Sequence, residues 1–295
     1  MTTQTTTSGS PVPRTQRRAL RGGPKRTEAS LRWWLFVPAG LLVLLAAVGP
    51  FLVPFNPVDI VGVPSQPPGA EHWFGTDQNG MDVFSRVVAA ARTNLLVAAI
   101  AAIGSTVLGI VIGVIGGMNE AARGLRGFLA RSLARAVEIL DAVPAIIIGL
   151  VLVSLFGPSV ATIIGVLVIV SLARQSKLVR TEVLKVRGDS FVDAARMAGA
   201  REINVMFTTV LPNSIRPSFE NFSATFGLAI IVEAALGFLG VGLPPPTPEW
   251  GTMIATGAAD ALNYRWWGAA FPTIALIVTV SSIALAGSEL LRKRH

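Results

Sequence analysis

The chain has 295 residues, of which 52% are apolar and only 14% are charged, and its mean hydropathy is +0.60. Soluble domains carry about 25% charged residues, so this composition excludes an ordinary water-soluble enzyme and predicts helices that span a membrane. The absence of cysteine excludes disulfide scaffolds and thiolate metal centres. Because the chain also has only two histidines, no metal site is predicted.

The N-terminal part divides into a polar tail and a first membrane helix. Residues 1–32 are rich in Thr, Ser, Pro and Arg without apolar periodicity, which predicts a disordered basic cytoplasmic tail. Residues 33–55 are apolar and uncharged, long enough for a first transmembrane helix rather than a cleaved signal peptide. The same criterion predicts five further spans, at residues 94–117, 131–156, 159–176, 216–239 and 269–291.

The basic residues predict the orientation of these six spans. Of the 25 Lys and Arg, all except Arg86, Arg92 and Arg265 fall on the side of the N-terminus. Because basic loops resist translocation, we expect both termini to be cytoplasmic. Residues 56–92 then form an extracytoplasmic loop, and residues 93–291 form a five-helix core with an inner loop at 177–215 and a second outer loop at 240–268. Residues 292–295 are the cytoplasmic end, and the net charge of +8 requires no nucleic-acid partner.

The inner loop contains a short helix with both ends marked in the sequence. Ser190 is a candidate N-cap, with Asp193 three residues later as in a capping box. Gly199 is a candidate left-handed residue at the C-terminal end. Phe191 and Met197 offer apolar anchors, so the helix could lie in a groove on another protein or, alternatively, be a capped connector on the membrane surface. Helical character resumes after Arg201 and is predicted to end at Pro212.

The spacing of these residues resembles a known family motif. Asp193-Ala194-Ala195, Gly199 and Leu211-Pro212 are similar to the EAA motif of permease subunits in ATP-binding-cassette importers, with Asp193 in place of Glu and Thr209 in place of Ile. The resemblance implies a coupling helix seated in a cleft of a cytoplasmic ATPase. The implied docking residues are Ser190, Phe191, Asp193, Ala194, Ala195, Met197, Gly199, Leu211 and Pro212.

A second motif lies in the first outer loop, from His72 to Arg86. Its residues predict a tight turn leading into a helix, and their spacing does not match a calcium-binding EF-hand loop. The run resembles the FGTDxxGxD…SR signature of C-type permeases in the dipeptide, oligopeptide and nickel importer family. A stretch from Glu233 to Gly251 continues the resemblance, which covers residues 33–287. The signature residues are Phe74, Gly75, Thr76, Asp77, Gly80, Asp82, Ser85 and Arg86.

The resemblance implies an all-α integral membrane protein with the type I importer permease fold, located in the plasma or inner membrane. The chain has no phosphate-binding GxxxxGK[ST] loop, so it is not expected to be an enzyme or to hold a cofactor, and ATP and Mg²⁺ would bind to partner ATPases. The implied partners are a second permease subunit in a heterodimer, two ATPase domains, a solute-binding protein and the lipid bilayer. Peptides are the expected cargo, with nickel or glutathione as alternatives.

Two acidic residues within the predicted spans need a separate explanation. Asp141, near Pro144, could line the translocation path, relay protons or make an interhelical contact with a residue such as Arg135 or with the second permease. Glu233 could contact substrate or the binding protein, or lie in a tight packing seam. A proton-coupled secondary transporter that uses both carboxylates is therefore an alternative function.

Overall fold

The computed structural model describes residues 33–120 and 122–292, and the predicted tail at residues 1–32 lies outside the described residues. A 3₁₀ turn at Trp33–Phe36 leads into the first α-helix. Over the described ranges the chain forms helices and no strand, which confirms the all-α prediction. The main helices are α1 (Val37–Leu52), α2 (Val83–Asn119), α3 (Leu125–Ala142), α4 (Ala145–Phe156), α5 (Val160–Arg187), α6 (Ser190–Met197), α7 (Phe222–Phe238), α8 (Trp250–Ala261) and α9 (Trp267–Arg292).

Four of these helices are long and apolar enough to cross a membrane alone, namely α1, α2, α5 and α9. Two bent helix pairs also pass the test of length and composition, one formed by α3 and α4 and the other by the helical segment Glu202–Glu220 and α7, and each adds a crossing if the pair forms one span. The bends are 98° and 46°. The described residues therefore allow between four and six crossings, and all six predicted spans coincide with a long helix or a bent pair.

The predicted third span at 131–156 consists of two helices with a sharp bend between them. The chain leaves the helical conformation at Val143, where ψ is 129°, and turns by 98° before α4 begins. Pro144 explains the break, since its ring disfavours a helical conformation at the preceding residue and it has no N–H to donate.

Several helices extend beyond their predicted bounds. The side chain of Asp82 accepts a hydrogen bond from the N–H of Ser85 and caps α2, so residues 83–92 of the predicted outer loop are helical. At the other end of the core, α5 runs into the predicted inner loop and ends at Arg187. Helix α8 lies within the second outer loop, after the prolines that exclude a continuous helix there.

The centre of the fold is a close contact between α2 and α5. Gly109, Gly113 and Gly117 lie one turn apart on α2, and a Cβ atom at any of them would overlap Gln175, Val179 or Val183 on α5. Small residues at this spacing let two helix backbones approach closely in a membrane. This glycine-rich side of α2 is therefore a packing face.

Candidate functional site

The start of α6 differs from the sequence prediction. Ser190 is the first helical residue and not the cap, because the N-cap position belongs to Asp189, whose side chain makes no capping hydrogen bond. Asp193 forms no capping box and instead pairs with Arg196, with 3.2 Å between Oδ1 and Nη1. Arg196 also donates from Nε to Glu202 at 2.9 Å, and this hydrogen bond raises the pKa of the Arg196 guanidinium. The pair with Glu202 joins the helix to the segment that follows.

The end of α6 is the one predicted from the sequence. Gly199 has a φ of +82°, in the left-handed region that glycine adopts without strain. Its N–H donates to the carbonyl of Arg196 at 2.9 Å, and the N–H of Ala200 donates to the carbonyl of Ala195 at 3.2 Å. This pair of bonds is a Schellman motif, which fixes the direction in which the chain leaves the helix.

Helix α6 has one face held by the protein and one face open. Val192 is fully buried in a cluster with residues of α5 and of the following segment, including Val183 and Val205. On the other side, Met197 is 84% exposed and Phe191 is 46% exposed, and Ala194 is also exposed. An eight-residue helix in water is unstable alone, so the buried valine contact holds it in place while its anchors stay available.

The segment after α6 corrects a second prediction, because Pro212 does not end the helical run. Residues Val205–Val210 form a π-helix, and Leu211–Ser214 and Arg216–Glu220 continue it as short α-helices. The wider π-turn accommodates a proline that cannot donate a hydrogen bond. Leu211 packs against the buried valine cluster, so it anchors the segment to the core. Ile203 and Phe207 are exposed apolar residues here that the sequence motif did not indicate.

Asp141 lies in a charged contact between α3 and α5. Its Oδ2 atom is 2.8 Å from Nζ of Lys177, and both side chains are about 40% exposed. Its partner is therefore Lys177 and not Arg135. Nearby, Arg180 on α5 pairs with Glu120 at 2.8 Å and with Glu138 at 3.5 Å. These pairs fix α3 to the C-terminal half of α5.

The signature residues of the first outer loop form a buried hydrogen-bond network. Asp82 accepts hydrogen bonds from the N–H of Ser85 at 2.8 Å and from its hydroxyl at 2.7 Å, and its other oxygen lies 2.9 Å from Nδ1 of His72. Asp77 accepts from the N–H groups of Asn79 and Met81. Gly75 and Gly80 have positive φ angles of 74° and 79°. Both carboxylates are satisfied within the protein, so the network is a structural support for the loop.

Three contacts tie this loop to the second outer loop and to α9. Phe74 stacks on Phe271, with 3.8 Å between ring centroids. The indole N–H of Trp267 donates to the carbonyl of Thr76 at 3.0 Å. Arg86 donates to the carbonyls of Pro57 and Pro246, and its Nε lies 3.5 Å from Asp77. The predicted outer surface is therefore assembled from both loops together.

Glu233 and Glu249 lie side by side in the structure, although the sequence placed Glu233 in a predicted membrane span and Glu249 in the second outer loop. Glu249 is fully buried and caps α8 by accepting from the N–H groups of Gly251 and Thr252, and burial raises the pKa of its carboxyl. Glu233 lies beside it on α7 and is 2% exposed, and its carboxylate faces the side chains of Asn94 and Glu249. Glu233 therefore lies in the packing seam in this conformation and not on an open path.

Replacing Glu249 with alanine is expected to lower stability by about 2 kcal/mol, because two N–H groups would lose their acceptor in a site closed to water. Thermal unfolding of the purified protein complex would measure the loss. The matched control is Glu71→Ala, since Glu71 is exposed and should change stability by less than about 0.5 kcal/mol. Equal stability of the Glu249→Ala variant and the parent would contradict the capping role.

The comparison with known families identifies this architecture. Residues 105–294 match the family described as binding-protein-dependent transport system inner membrane component. The chain belongs to this family. Two bacterial permeases are similar to it along most of the chain. The di/tripeptide transport system permease protein DppC of Pseudomonas aeruginosa (strain UCBPP-PA14) is 33% identical over 257 residues, which cover 85% of this chain and 82% of that protein.

The dipeptide transport system permease protein DppC of Escherichia coli (strain K12) is 33% identical over 290 residues, which cover 95% of this permease and 93% of that protein. Among solved structures, a chain of the inward-facing MetNI methionine ABC transporter has a TM-score of 0.57 at 18% sequence identity, covering 70% of this permease and 95% of that chain. This likeness shows the shared fold. It confirms the predicted type I importer permease fold, and the permease is a multi-pass membrane protein.

Proposed function

We propose that this permease forms half of the translocation path of an ATP-driven importer for di- or oligopeptides. The observation that carries the proposal is the open face of α6, which exposes Phe191, Ala194 and Met197 on a helix held by the buried Val192. Membership of a binding-protein-dependent family and the absence of a phosphate-binding loop both support ATP hydrolysis on separate subunits.

The coupling step follows from how α6 is attached. Its inner face is held against α5 by the valine cluster, and its C-terminal end is fixed by the Schellman motif and by the ion pair of Arg196 with Glu202. A movement of the ATPase cleft would therefore be transmitted to α5 as a rigid displacement. ATP binding then shifts the population between inward-open and outward-open states, without catalysis by this chain.

The orientation is part of the proposal. With both termini cytoplasmic, α6 faces the ATPases, and the joined outer loops face the solute-binding protein. The distribution of basic residues supports this orientation, because 22 of the 25 Lys and Arg then lie inside. The membrane is the plasma or inner membrane, and the second permease subunit completes the path as a heterodimer.

Peptide cargo is supported by the names of the two similar permeases, which describe dipeptide or di/tripeptide transport. Uptake by the complete complex in proteoliposomes tests this cargo. Labelled dipeptide should accumulate only when ATP and the solute-binding protein are both present. Uptake of nickel or glutathione without competition by dipeptides would reject peptide cargo, and uptake driven by a proton gradient without any ATPase would reject the importer mechanism.

A further inference from the structure

Helix α3 has a face that no described residue covers. Its small and branched residues Gly127, Ala130 and Val137 are buried, and α3 packs against α2 and α5. At 100° per residue, the opposite side of the helix carries a stripe of large apolar side chains. The stripe consists of Leu125 (72% exposed), Phe128 (61%), Leu129 (56%) and Ile139 (69%).

Basic residues flank this apolar stripe. Arg131 and Arg135 lie one turn apart along one edge, and Arg126 lies on the other edge. Arg126 and Arg135 make no ion pair or hydrogen bond with any described residue, and Arg131 donates only to backbone carbonyls. The acids of α3 are already paired, Glu138 with Arg180 and Asp141 with Lys177. The open side of α3 is therefore apolar with a positive border.

The bend at Pro144 gives the direction of α3. Helix α4 contains 12 residues without a charge, contacts α5 and is joined to it by a three-residue turn. A connection this short makes the two helices antiparallel neighbours. Because α5 is long enough to cross the membrane, α4 shares the transmembrane direction. The 98° angle between α3 and α4 then places α3 close to the plane of the membrane.

The ion pairs give the depth of α3. Lys177 and Arg180 lie 17 and 20 residues after the first residue of α5, Val160. At 1.5 Å per residue this is about 26 to 30 Å, which is the thickness of the hydrocarbon core. The α3 helix that they hold therefore lies at the opposite membrane boundary from the start of α5. In the proposed orientation this boundary is the cytoplasmic one.

We propose that α3 is an in-plane helix whose apolar stripe inserts into the inner leaflet, and whose arginines bind the phosphates of anionic phospholipids. The proposal rests on the orientation given under the proposed function. Charge complementarity selects this partner, because unpaired arginines beside an apolar stripe match an anionic headgroup above acyl chains. Lipid binding at this helix would help to hold the bent pair α3 and α4 in place against α5.

Fluorescence quenching in proteoliposomes tests the position of the stripe. The chain contains no cysteine, so single labels can be placed at Phe128→Cys and Ile139→Cys in the assembled complex. Two reference labels calibrate depth, Ile103→Cys on the exposed side of α2 and Met197→Cys on α6. Both stripe labels should be quenched by nitroxides near the headgroups of the leaflet on the ATPase side. Quenching by aqueous reagents alone, or a cross-link from Phe128→Cys to the second permease, would overturn the proposal.

Charge removal tests the lipid class. With the label at Phe128→Cys, nitroxide-labelled phosphatidylglycerol should quench more strongly than labelled phosphatidylcholine. The double substitution Arg131→Gln and Arg135→Gln should reduce this preference roughly fivefold for each arginine removed. Arg201→Gln, on an exposed loop residue away from α3, should leave the preference unchanged. No preference in the parent, or an unchanged preference in the double variant, would reject anionic lipid as the partner.

The Met197→Cys reference label distinguishes a failure of this proposal from a failure of the proposed function. If Met197→Cys reacts with a membrane-impermeant reagent on the side away from the ATPases, the orientation is wrong and the importer scheme fails. If Met197→Cys lies on the ATPase side while the stripe labels avoid lipid, the orientation stands and only the in-plane helix is rejected.

Discussion

Replacing Ala194 with arginine is expected to reduce ATP-driven peptide uptake roughly 100-fold while the permease still inserts into the membrane. Ala194 lies on the open face of α6 between the exposed anchors Phe191 and Met197, so the longer side chain meets no obstacle within this chain. In the docked complex the new charge would be buried without a partner, which costs about 3 kcal/mol or more. Uptake of labelled dipeptide into proteoliposomes measures the loss.

The matched control is Ala194→Ser, which keeps the side chain small and should leave uptake within about twofold of the parent, since a surface change of this kind alters stability by about 0.5 kcal/mol at most. Membrane insertion of both variants is checked by the amount of complex recovered in gentle detergent. Full uptake by the arginine variant, at normal expression, would show that this face of α6 does not enter an ATPase cleft.

Replacing Gly251 with alanine is expected to destabilise the outer half of the permease by about 3 kcal/mol. A Cβ atom at Gly251 would overlap the backbone carbonyl of Ala234 on α7, and a backbone cannot move aside as a flexible side chain can. A Cβ atom at Gly257, on the same helix, would likewise overlap backbone atoms of Gly268 and Ala269. Thermal unfolding of the purified complex, together with its abundance in membranes, reports the effect.

Gly165→Ala is the control for this substitution. Gly165 lies on α5, and an added Cβ atom would have no neighbour within 4 Å. Alanine also favours a helix over glycine by up to about 1 kcal/mol, so this variant should be as stable as the parent or slightly more stable. Equal behaviour of the two alanine variants would contradict the close backbone contact between α7 and α8.

The transmembrane helices and the end of α6 could be predicted because their signals are local. Long uncharged runs define α1 and α9, and Gly199 ends α6 through a backbone angle that glycine adopts most easily. The prediction of where α6 begins was wrong, because several neighbouring polar residues are suited to the single N-cap position. Asp193 has a partner in Arg196, and this ion pair replaces the capping box.

Other features depend on contacts between distant residues and could not be predicted from the sequence. Pro144 indicates a bend, but its angle of 98° depends on contacts with other helices, among them the pair of Asp141 with Lys177. Glu233 and Glu249 are neighbours because α7 and α8 pack face to face, and the lack of a side chain at Gly251 permits this close packing. The π-helix before Pro212 similarly lets a helical run continue past a residue that ordinarily ends one.

A disulfide cross-link between α6 and the ATPase would test the docking of this helix most directly. Met197→Cys would be the only cysteine in this chain, and it would be combined with single cysteines placed along the cleft of a cysteine-free ATPase. We expect a cross-link at one part of the cleft in the assembled complex, with loss of peptide uptake that a reductant restores. An active complex in which no cleft position cross-links to residue 197 would contradict the docking of α6.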